Sequence, residues 1–392
     1  MIKNIRFALL ALCCAHPISI GLEAAEFVPL GDFPEGLFAS SAAAISDDGT
    51  AILGFGTYDD SGRVAVFRWT ANEGMHPLAD FARDIMPGGV SNNGAIAVGH
   101  ERVAAPITEN AIRWSSVAGL NLLPDFPANV YSRAEDISPD GAFIVGGTAA
   151  GVISTIPEAF LWNADSGTIG LGDLPGGEDF SNAVAVSADG RAVAGYSGSA
   201  NDSHIEAFRW TEATGIIGLG DLSSGEFSSY AENISADGNV VVGFSETSPI
   251  TREAFRWSAD TGMVGLGELP GYEKASGASA ANHDGSVIVG AASPESGTAV
   301  AIVWDESHGL KLFQDVLIDD FGLGDALSGW SLRLASDISA DGLSIVGQGR
   351  NPNGDFEAYL VRLDRPLTAP EPSSLALVLS AVILAALRRR RR

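Results

Sequence analysis

The chain has 392 residues, of which 46% are hydrophobic, 18% are charged and 47 are glycine. This composition excludes a disordered chain, and the many glycines suit an all-β protein with frequent tight turns. The net charge is −26, and five of the 23 basic residues are the terminal arginines 388–392, so the rest of the chain is still more acidic. Such a body repels nucleic acid and anionic membranes, which excludes functions that depend on phosphate attraction.

Residues 1–25 have the features of a secretory signal peptide. Two basic residues precede an apolar run, and small residues follow it, an order that is typical of a cleaved export signal. Both cysteines, Cys13 and Cys14, fall in this segment, so we expect the exported protein to contain no disulfide. A lipoprotein signal is the weaker alternative, because Leu12 stands where a small residue is expected.

One phrase then recurs seven times along the chain: an apolar residue, Ser-x-Asp-Gly or a close variant, and a short apolar run that ends in glycine. The turn glycines of the seven copies are Gly49, Gly94, Gly141, Gly190, Gly238, Gly285 and Gly342, spaced 45 to 57 residues apart. A period of this length indicates a repeat architecture, in which each unit buries its hydrophobic face only against its neighbours.

Each unit contains four stretches that we expect to be strands. In one unit they are YAENIS (230–235), NVVVGFS (239–245), EAFRW (253–257) and GLGEL (265–269). The Asp-Gly pair between the first two predicts a hairpin with a two-residue turn. The recurrent Trp of the third stretch is interpreted as core between units. Its arginines, followed by acidic residues on the fourth, predict cross-strand ion pairs or contacts between units rather than catalysis.

Small four-stranded sheets that pack radially on one another form a β-propeller, so the predicted fold class is an all-β, seven-bladed β-propeller over residues 26–365. A parallel β-helix is the rival, but its coils need no Asp-Gly hairpin and Trp strand in every unit. The stretch FVPLGDF (27–33) matches a fourth strand without a unit, and the last unit ends at EAYLV (357–361) without a fourth strand. We therefore expect the N-terminal strand to pair with the C-terminal blade and close the ring.

These recurring blocks resemble the HAF repeat of exported bacterial proteins. The blocks are EAFRW, GLGDL and ISADG followed by VVVG, and they recur in this order over nearly the whole mature chain. The resemblance implies an extracellular repeat protein. It implies no particular reaction.

The C-terminal segment 366–392 contains a Pro-Glu-Pro triplet (Pro370, Glu371, Pro372), an apolar stretch (375–387) and a tail of arginines. The apolar stretch predicts a short hydrophobic helix, with the basic tail kept in the cytoplasm. The three parts in this order resemble a PEP-CTERM sorting signal. That resemblance implies recognition by an exosortase-type membrane enzyme of Gram-negative bacteria and delivery to the cell surface or matrix. A permanent tail anchor in the inner membrane is the alternative.

Candidate ligand contacts lie in the links from fourth to first and from second to third strand, which share one face of a propeller and vary in length. Variable loops carry binding more often than the scaffold does. The candidates are Asp319, Asp320, Asp325, Trp330, Tyr131, Tyr230 and Tyr272. Ordinary loop packing is the alternative interpretation. No metal or cofactor motif and no catalytic motif is present in the sequence.

The leading functional hypothesis is a non-enzymatic, exported protein for adhesion, matrix binding or scaffolding, with an extracellular polysaccharide or matrix protein as partner. The second hypothesis is a polysaccharide lyase or hydrolase that uses carboxylates on the variable face. A structural surface protein without a ligand is the third.

Overall fold

A computed structural model describes residues 24–34, 36–79, 84–104, 107–124, 131–149, 157–200, 205–223 and 228–367. All but the last two residues of the predicted signal peptide (1–25), and all but the first two of the predicted sorting segment (366–392), lie outside these ranges. The Pro-Glu-Pro triplet and the predicted C-terminal helix therefore lie outside the described residues. Within the described ranges, no helix has the length and hydrophobicity that a membrane span requires.

The described elements are almost entirely strands. The first half comprises β1 (Glu26–Gly31), β2 (Ser40–Ile45), β3 (Ala51–Thr57), β4 (Val64–Thr70), β5 (Gly74–Pro77), β6 (Asp84–Val90), β7 (Ile96–Ala104), β8 (Ile107–Ser115), β9 (Gly119–Leu122), β10 (Ser132–Ile137), β11 (Phe143–Thr148), β12 (Glu158–Asn163) and β13 (Gly167–Gly170). The second half comprises β14 (Ser181–Val186), β15 (Ala192–Gly198), β16 (Ile205–Thr211), β17 (Gly215–Gly218), β18 (Ser229–Ile234), β19 (Val240–Ser248), β20 (Thr251–Ser258), β21 (Gly262–Gly265), β22 (Ala275–Ala281), β23 (Val287–Ser293), β24 (Val300–Asp305), β25 (Gly309–Leu312), α1 (Phe313–Asp319), β26 (Ser331–Ile338), β27 (Ser344–Arg350) and β28 (Phe356–Arg362).

Consecutive strands form antiparallel meanders of four. Five sheets have four strands each, in the orders β2-β3-β4-β5, β6-β7-β8-β9, β10-β11-β12-β13, β14-β15-β16-β17 and β1-β28-β27-β26. The sixth sheet joins two further meanders, β18 to β21 and β22 to β25, through one parallel bridge between Arg252 and Ala275. We call each set of four strands a unit and name it by its innermost strand, for example the β10 unit.

The units follow one another around a ring. The second strand of each unit packs on the first strand of the next, from β3 on β6 through β23 on β26, and finally β27 on β2. The hydrophobic core is accordingly divided among clusters between neighbouring units. One cluster joins Val346 and Leu360 of the β26 unit to Ile52 and Trp69 of the β2 unit. Burial against a neighbour on both faces explains why the second strands are nearly continuous in apolar residues.

The predicted pairing of the two chain ends is confirmed. Strand β1 runs antiparallel to β28, with Phe27 opposite Val361 and Val28 opposite Leu360. The Gly31 N–H donates to Glu357 Oε1 at 3.1 Å across this junction. Within the β18 unit, Gly267 makes the same bond to Glu253 at 3.1 Å. The N-terminal strand therefore reproduces the contacts of a fourth strand contributed by the unit itself.

The turn between the first two strands differs from the expected two-residue hairpin. In the β18 unit, Ser235 and Val240 close the hairpin through Ser235 N and Val240 O at 2.8 Å, which leaves four residues in the loop. Ser235 Oγ donates to Asp237 at 2.6 Å and accepts from Val240 N at 3.0 Å. Because these side-chain hydrogen bonds stabilise the turn, only one residue, Gly238, needs a positive φ, which is 74°.

The fourth strand lies earlier in the sequence than expected. In the β18 unit it is Gly262–Gly265 and not residues 265–269. Gly267 has a φ of 91° and ends the extended run, so that its N–H can reach Glu253. The Gly-Leu-Gly-Glu-Leu block is therefore the exit of the unit into the next link.

The recurrent Arg and Trp residues of the third strand make contacts between units. Arg256 Nε donates to the Gly285 carbonyl of the next unit at 3.1 Å, and Arg209 donates to the Gly238 carbonyl at 2.9 Å. Trp162 and Trp257 are buried in the core. The interpretation of both residue types as contacts between units is confirmed at these positions.

Candidate functional site at the channel mouth

The seven-fold sequence repeat builds a β-bulge into the innermost strands, which surround a central channel. In β10, Ala134 pairs with Gly146 and Asp136 with Val145, so Glu135 has no partner in the ladder. A bulge turns the extra residue out of the regular alternation, here towards the channel and the neighbouring innermost strand. The residues at this bulge position are Ala43, Glu135, Val184, Glu232, Ser279 and Ser336, whereas β6 has its irregularity at Gly88 and Gly89 and β26 has a second bulge at Arg333.

The glycine that ends each repeated phrase is required by this bulge. A Cβ atom on Gly146 would lie 1.9 Å from the Arg133 carbonyl oxygen, and one on Gly243 would lie 2.0 Å from that of Tyr230. Only glycine allows the bulged strand to approach so closely. The repeated glycine is thus the sequence signal from which the channel-lining positions could have been found.

The two halves of the channel wall carry different kinds of bulged residues. Bulged glutamates occur in the β10 and β18 units, on either side of Val184 in the β14 unit. The corresponding positions of the β22, β26 and β2 units carry Ser279, Ser336 and Ala43. Charge is therefore concentrated on one half of the wall, while small side chains leave space on the other half.

A row of aromatic rings lies above the glutamates, on the face where the links emerge. Ring centroids are 5.9 Å apart between Phe180 and Tyr196, 5.4 Å between Tyr196 and Tyr230, and 4.9 Å between Tyr230 and Phe244. The guanidinium of Arg252 lies 4.6 Å from the centre of the Phe244 ring. We call these five residues the aromatic row. Its rings are only partly buried, so they offer apolar faces beside the channel mouth.

A network of charged side chains extends from the channel mouth towards the β6 unit. Arg133 is ion-paired with Glu109, and Glu109 also lies 3.5 Å from Arg102. The Arg133 guanidinium lies 5.2 Å from the centre of the Tyr131 ring. Burial raises the pKa of Tyr131 to about 12, so this phenol keeps its proton at neutral pH.

His100 lies buried at the edge of this network. Neither of its ring nitrogens has a hydrogen-bond partner among the residues that the structure describes. Burial disfavours the charged imidazolium and lowers the pKa of His100 to about 4, so the ring is neutral at ordinary pH.

The two bulged glutamates are destabilised as anions. Glu135 is half-buried in the channel wall, and desolvation raises its pKa, although the nearby Arg133 acts in the opposite direction. Glu232 is an exposed residue, yet desolvation by the surrounding channel wall raises its pKa; Arg252 acts in the opposite direction, and the charge of Glu135 raises the pKa further. Neither carboxyl group accepts a hydrogen bond within the described parts of the chain.

The opposite end of the channel is nearly closed. A cavity of about 60 Å³ lies there, lined by Asp47, Asp136 and Asp337. Asp136 accepts hydrogen bonds from the N–H groups of Ile137 at 2.7 Å and Val186 at 2.9 Å. Asp337 likewise bridges from its own unit to the β2 unit. These carboxyl groups therefore hold neighbouring innermost strands together at the channel floor.

The sequence-predicted candidates fall into two separate places. Tyr131 and Tyr230 lie at the channel mouth, where Tyr230 is part of the aromatic row. Tyr272, Asp319 and Asp320 line a different groove of about 370 Å³, between the link after β21 and helix α1.

The remaining two candidates occupy neither place. Asp325 is exposed in the turns that follow α1. Trp330 is only 9% exposed, and its ring packs edge-on against Phe27 with centroids 4.9 Å apart. Trp330 therefore belongs to the core that closes the ring, and its face is not available to a ligand.

Sequence reasoning missed Glu135, Glu232, Tyr196 and Phe244. Tyr196 and Phe244 directly follow the repeated glycine, and the glutamates precede the end of the first strand by two residues. Among the described residues, no three His, Cys, Asp or Glu side chains are grouped so that they could hold a metal ion.

No protein-family model matches the chain, and no curated protein matches it. Among solved structures, it is similar to an oligogalacturonate lyase in complex with manganese, at a TM-score of 0.54 and 15% identity over 87% of this chain and 97% of that one. It is also similar to the β-propeller domain of the Trilobed protease from Pyrococcus furiosus, at a TM-score of 0.52 and 10% identity over 85% and 98% of the two chains. The fold is a β-propeller.

A third similar structure is matched over a smaller share of its own length. The chain spans 60% of TolB from Acinetobacter baumannii, at a TM-score of 0.45 and 12% identity over 68% of this chain. At these identities the comparisons concern the fold alone, because one propeller scaffold carries many unrelated functions.

Proposed function

We propose that the protein is an exported, seven-bladed β-propeller that binds an extracellular polysaccharide or matrix component without catalysing a reaction. Seven copies of the repeated phrase, and the pairing of β1 with β28, support this blade count. The resemblance to HAF repeats and to a PEP-CTERM signal supports export over 1–25, sorting through 366–392 by an exosortase-type enzyme, and a final place at the cell surface or matrix. The C-terminal helix would hold the protein in the membrane at least until it is sorted.

The aromatic row carries the binding proposal. Partly exposed aromatic faces next to polar groups are the usual surface on which sugar rings are held, since stacking supplies apolar contact and the polar groups accept hydroxyl hydrogen bonds. Tyr196 and Tyr230 come from neighbouring units and meet edge to face at 5.4 Å. Because the row crosses a boundary between units, it forms a continuous platform rather than a single ring.

Replacing Tyr230 by alanine should weaken glycan binding about tenfold, because it removes the ring at the centre of the platform. Glycans that bind the purified protein would first be found on a glycan array, and affinities of the variants would then be measured by calorimetry. Tyr272→Ala is the matched control, since Tyr272 lies in the groove beside α1. Loss of binding in Tyr272→Ala but not in Tyr230→Ala would move the site to that groove, and binding of no glycan at all would contradict the proposal.

A polysaccharide lyase or hydrolase is the second candidate function. Its support is the pair of glutamates in the channel, because a carboxyl group with a raised pKa suits general acid or base catalysis. An oligogalacturonate lyase is among the proteins of similar fold, which supports testing this candidate.

We expect no turnover when the purified protein is incubated with neutral and acidic polysaccharides and chain ends are counted over time. Turnover that disappears in Glu135→Gln would replace the binding proposal with an enzyme of the channel mouth. Turnover that disappears in Asp319→Asn or Asp320→Asn would instead place the reaction in the groove beside α1.

A further inference from the structure

The two bulged glutamates are the channel-wall groups whose chemistry glycan stacking does not use. They come from the β10 and β18 units, the third and fifth units in chain order when the β2 unit is the first, and the repeated bulge places them at equivalent heights. Between them lies Val184, an apolar side chain that cannot neutralise either charge. The channel therefore presents two carboxyl groups with an apolar surface between them.

The cationic groups nearest to these glutamates are already engaged elsewhere. Arg133 is paired with Glu109 and packs over Tyr131. Arg252 packs over the Phe244 ring. Both arginines lower the pKa of a neighbouring glutamate, yet desolvation outweighs this effect, and the pKa of each remains raised. A further positive charge in the channel would stabilise both carboxylates.

The surrounding aromatic rings are suited to the same kind of charge. Two arginines already lie over aromatic faces at this mouth, at 5.2 Å from Tyr131 and 4.6 Å from Phe244. A ring that attracts a guanidinium also attracts an ammonium group. The acidic body, with a net charge of −26, additionally concentrates cations and repels uronate sugars.

We propose that the polysaccharide bound at the channel mouth carries free, protonated amino groups, and that Glu135 and Glu232 bind these ammonium groups while the aromatic row stacks on the sugar rings. This inference rests on the proposed glycan-binding function and specifies its ligand as an unacetylated amino sugar. The small side chains on the opposite wall, such as Gly277 and Ser279, leave room for the ligand to enter.

The experiment compares three oligosaccharide probes by calorimetry on the purified full-length protein. Glucosamine oligomers should bind at least tenfold more tightly than N-acetylglucosamine oligomers of equal length, and galacturonate oligomers should not bind. The difference corresponds to the loss of a charge-assisted hydrogen bond. If the acetylated oligomers bind as tightly, the ligand assignment is overturned while glycan binding stands. If no oligosaccharide binds, the proposed function itself fails.

Matched variants separate this site from general attraction to an acidic surface. Glu135→Gln and Glu232→Gln should each reduce affinity for glucosamine oligomers about tenfold. Glu212→Gln, on an exposed turn, removes the same charge elsewhere and should have no effect. Equal losses in all three variants would overturn the inference, as would a lysine-rich peptide that binds as tightly as the amino sugar. Circular dichroism checks that each variant is folded.

Discussion

Replacing Phe27 by alanine should lower the free energy of unfolding by about 3–5 kcal/mol, the usual loss for a buried phenylalanine. Phe27 is 8% exposed and lies on the strand that joins the two ends of the chain. Its ring contacts Trp330 at 4.9 Å and Tyr359 at 5.7 Å between centroids. The substitution therefore leaves a cavity where β1 and β28 pair without a hairpin to connect them.

Denaturant unfolding followed by tryptophan fluorescence would measure this loss. Phe38→Ala is the matched control, because Phe38 is 43% exposed and the same atoms are removed from a site that water already reaches. We expect the control to cost less than about 1 kcal/mol. Similar losses in the two variants would show that closure through β1 contributes little to stability.

The buried aspartates of the channel floor should make the protein less stable as pH rises. Desolvation raises the pKa of Asp136 to about 7 and that of Asp337 to about 8, from the ordinary value of 3.8. In the unfolded chain both groups release their protons near pH 4, whereas the folded protein retains them to higher pH. The contribution of these two groups to the free energy of unfolding is therefore fully present below pH 4 and is lost as the pH rises through 7 and 8.

The double variant Asp136→Asn, Asp337→Asn should remove this loss. Asparagine already occupies the equivalent position at Asn233, where its Oδ1 accepts from the Ala281 N–H at 3.4 Å. Urea unfolding at pH 5 and pH 8.5 should show wild-type stability falling by on the order of a few kcal/mol, and a much smaller change in the double variant.

Asp189→Asn provides the control for this measurement. Asp189 lies in a repeat turn, where desolvation is the largest single influence and raises its pKa, but the hydrogen bonds from the Arg191 N–H and the Ser187 hydroxyl together with the Arg191 charge outweigh it and lower the pKa. Its contribution to stability is lost only in acid, so the slope between pH 5 and pH 8.5 should match that of the wild type. Equal slopes in wild type and double variant would contradict the role assigned to the floor.

The repeat allowed several features of the fold to be predicted correctly. Seven turn glycines and the unmatched FVPLGDF stretch predicted the strand-rich units and the pairing of β1 with β28, because hairpins and strand registers depend on neighbouring residues. The predictions of the turn type and of the position of the fourth strand were less accurate. In both, hydrogen bonds from backbone N–H groups to the Ser235 or Glu253 side chain decided where the extended backbone stops.

The candidate site was only partly predictable. Tyr131 and Tyr230 were named from their links and do lie at the channel mouth, whereas the long 318–330 link packs Trp330 into the core. An aromatic residue in a loop carries no sign of whether it faces water or a neighbouring unit, since its sequence surroundings are the same in both cases.

Local pattern was thus sufficient for the all-β class, the repeating unit and the closure of the ring, because each depends on turns and on alternation within a few residues. The placement of Glu135 and Glu232 on either side of Val184, and the aromatic row across two units, depended on the packed ring. These residues are far apart in the chain, and only the radial packing of the units, with a bulge in their innermost strands, brings them to one channel.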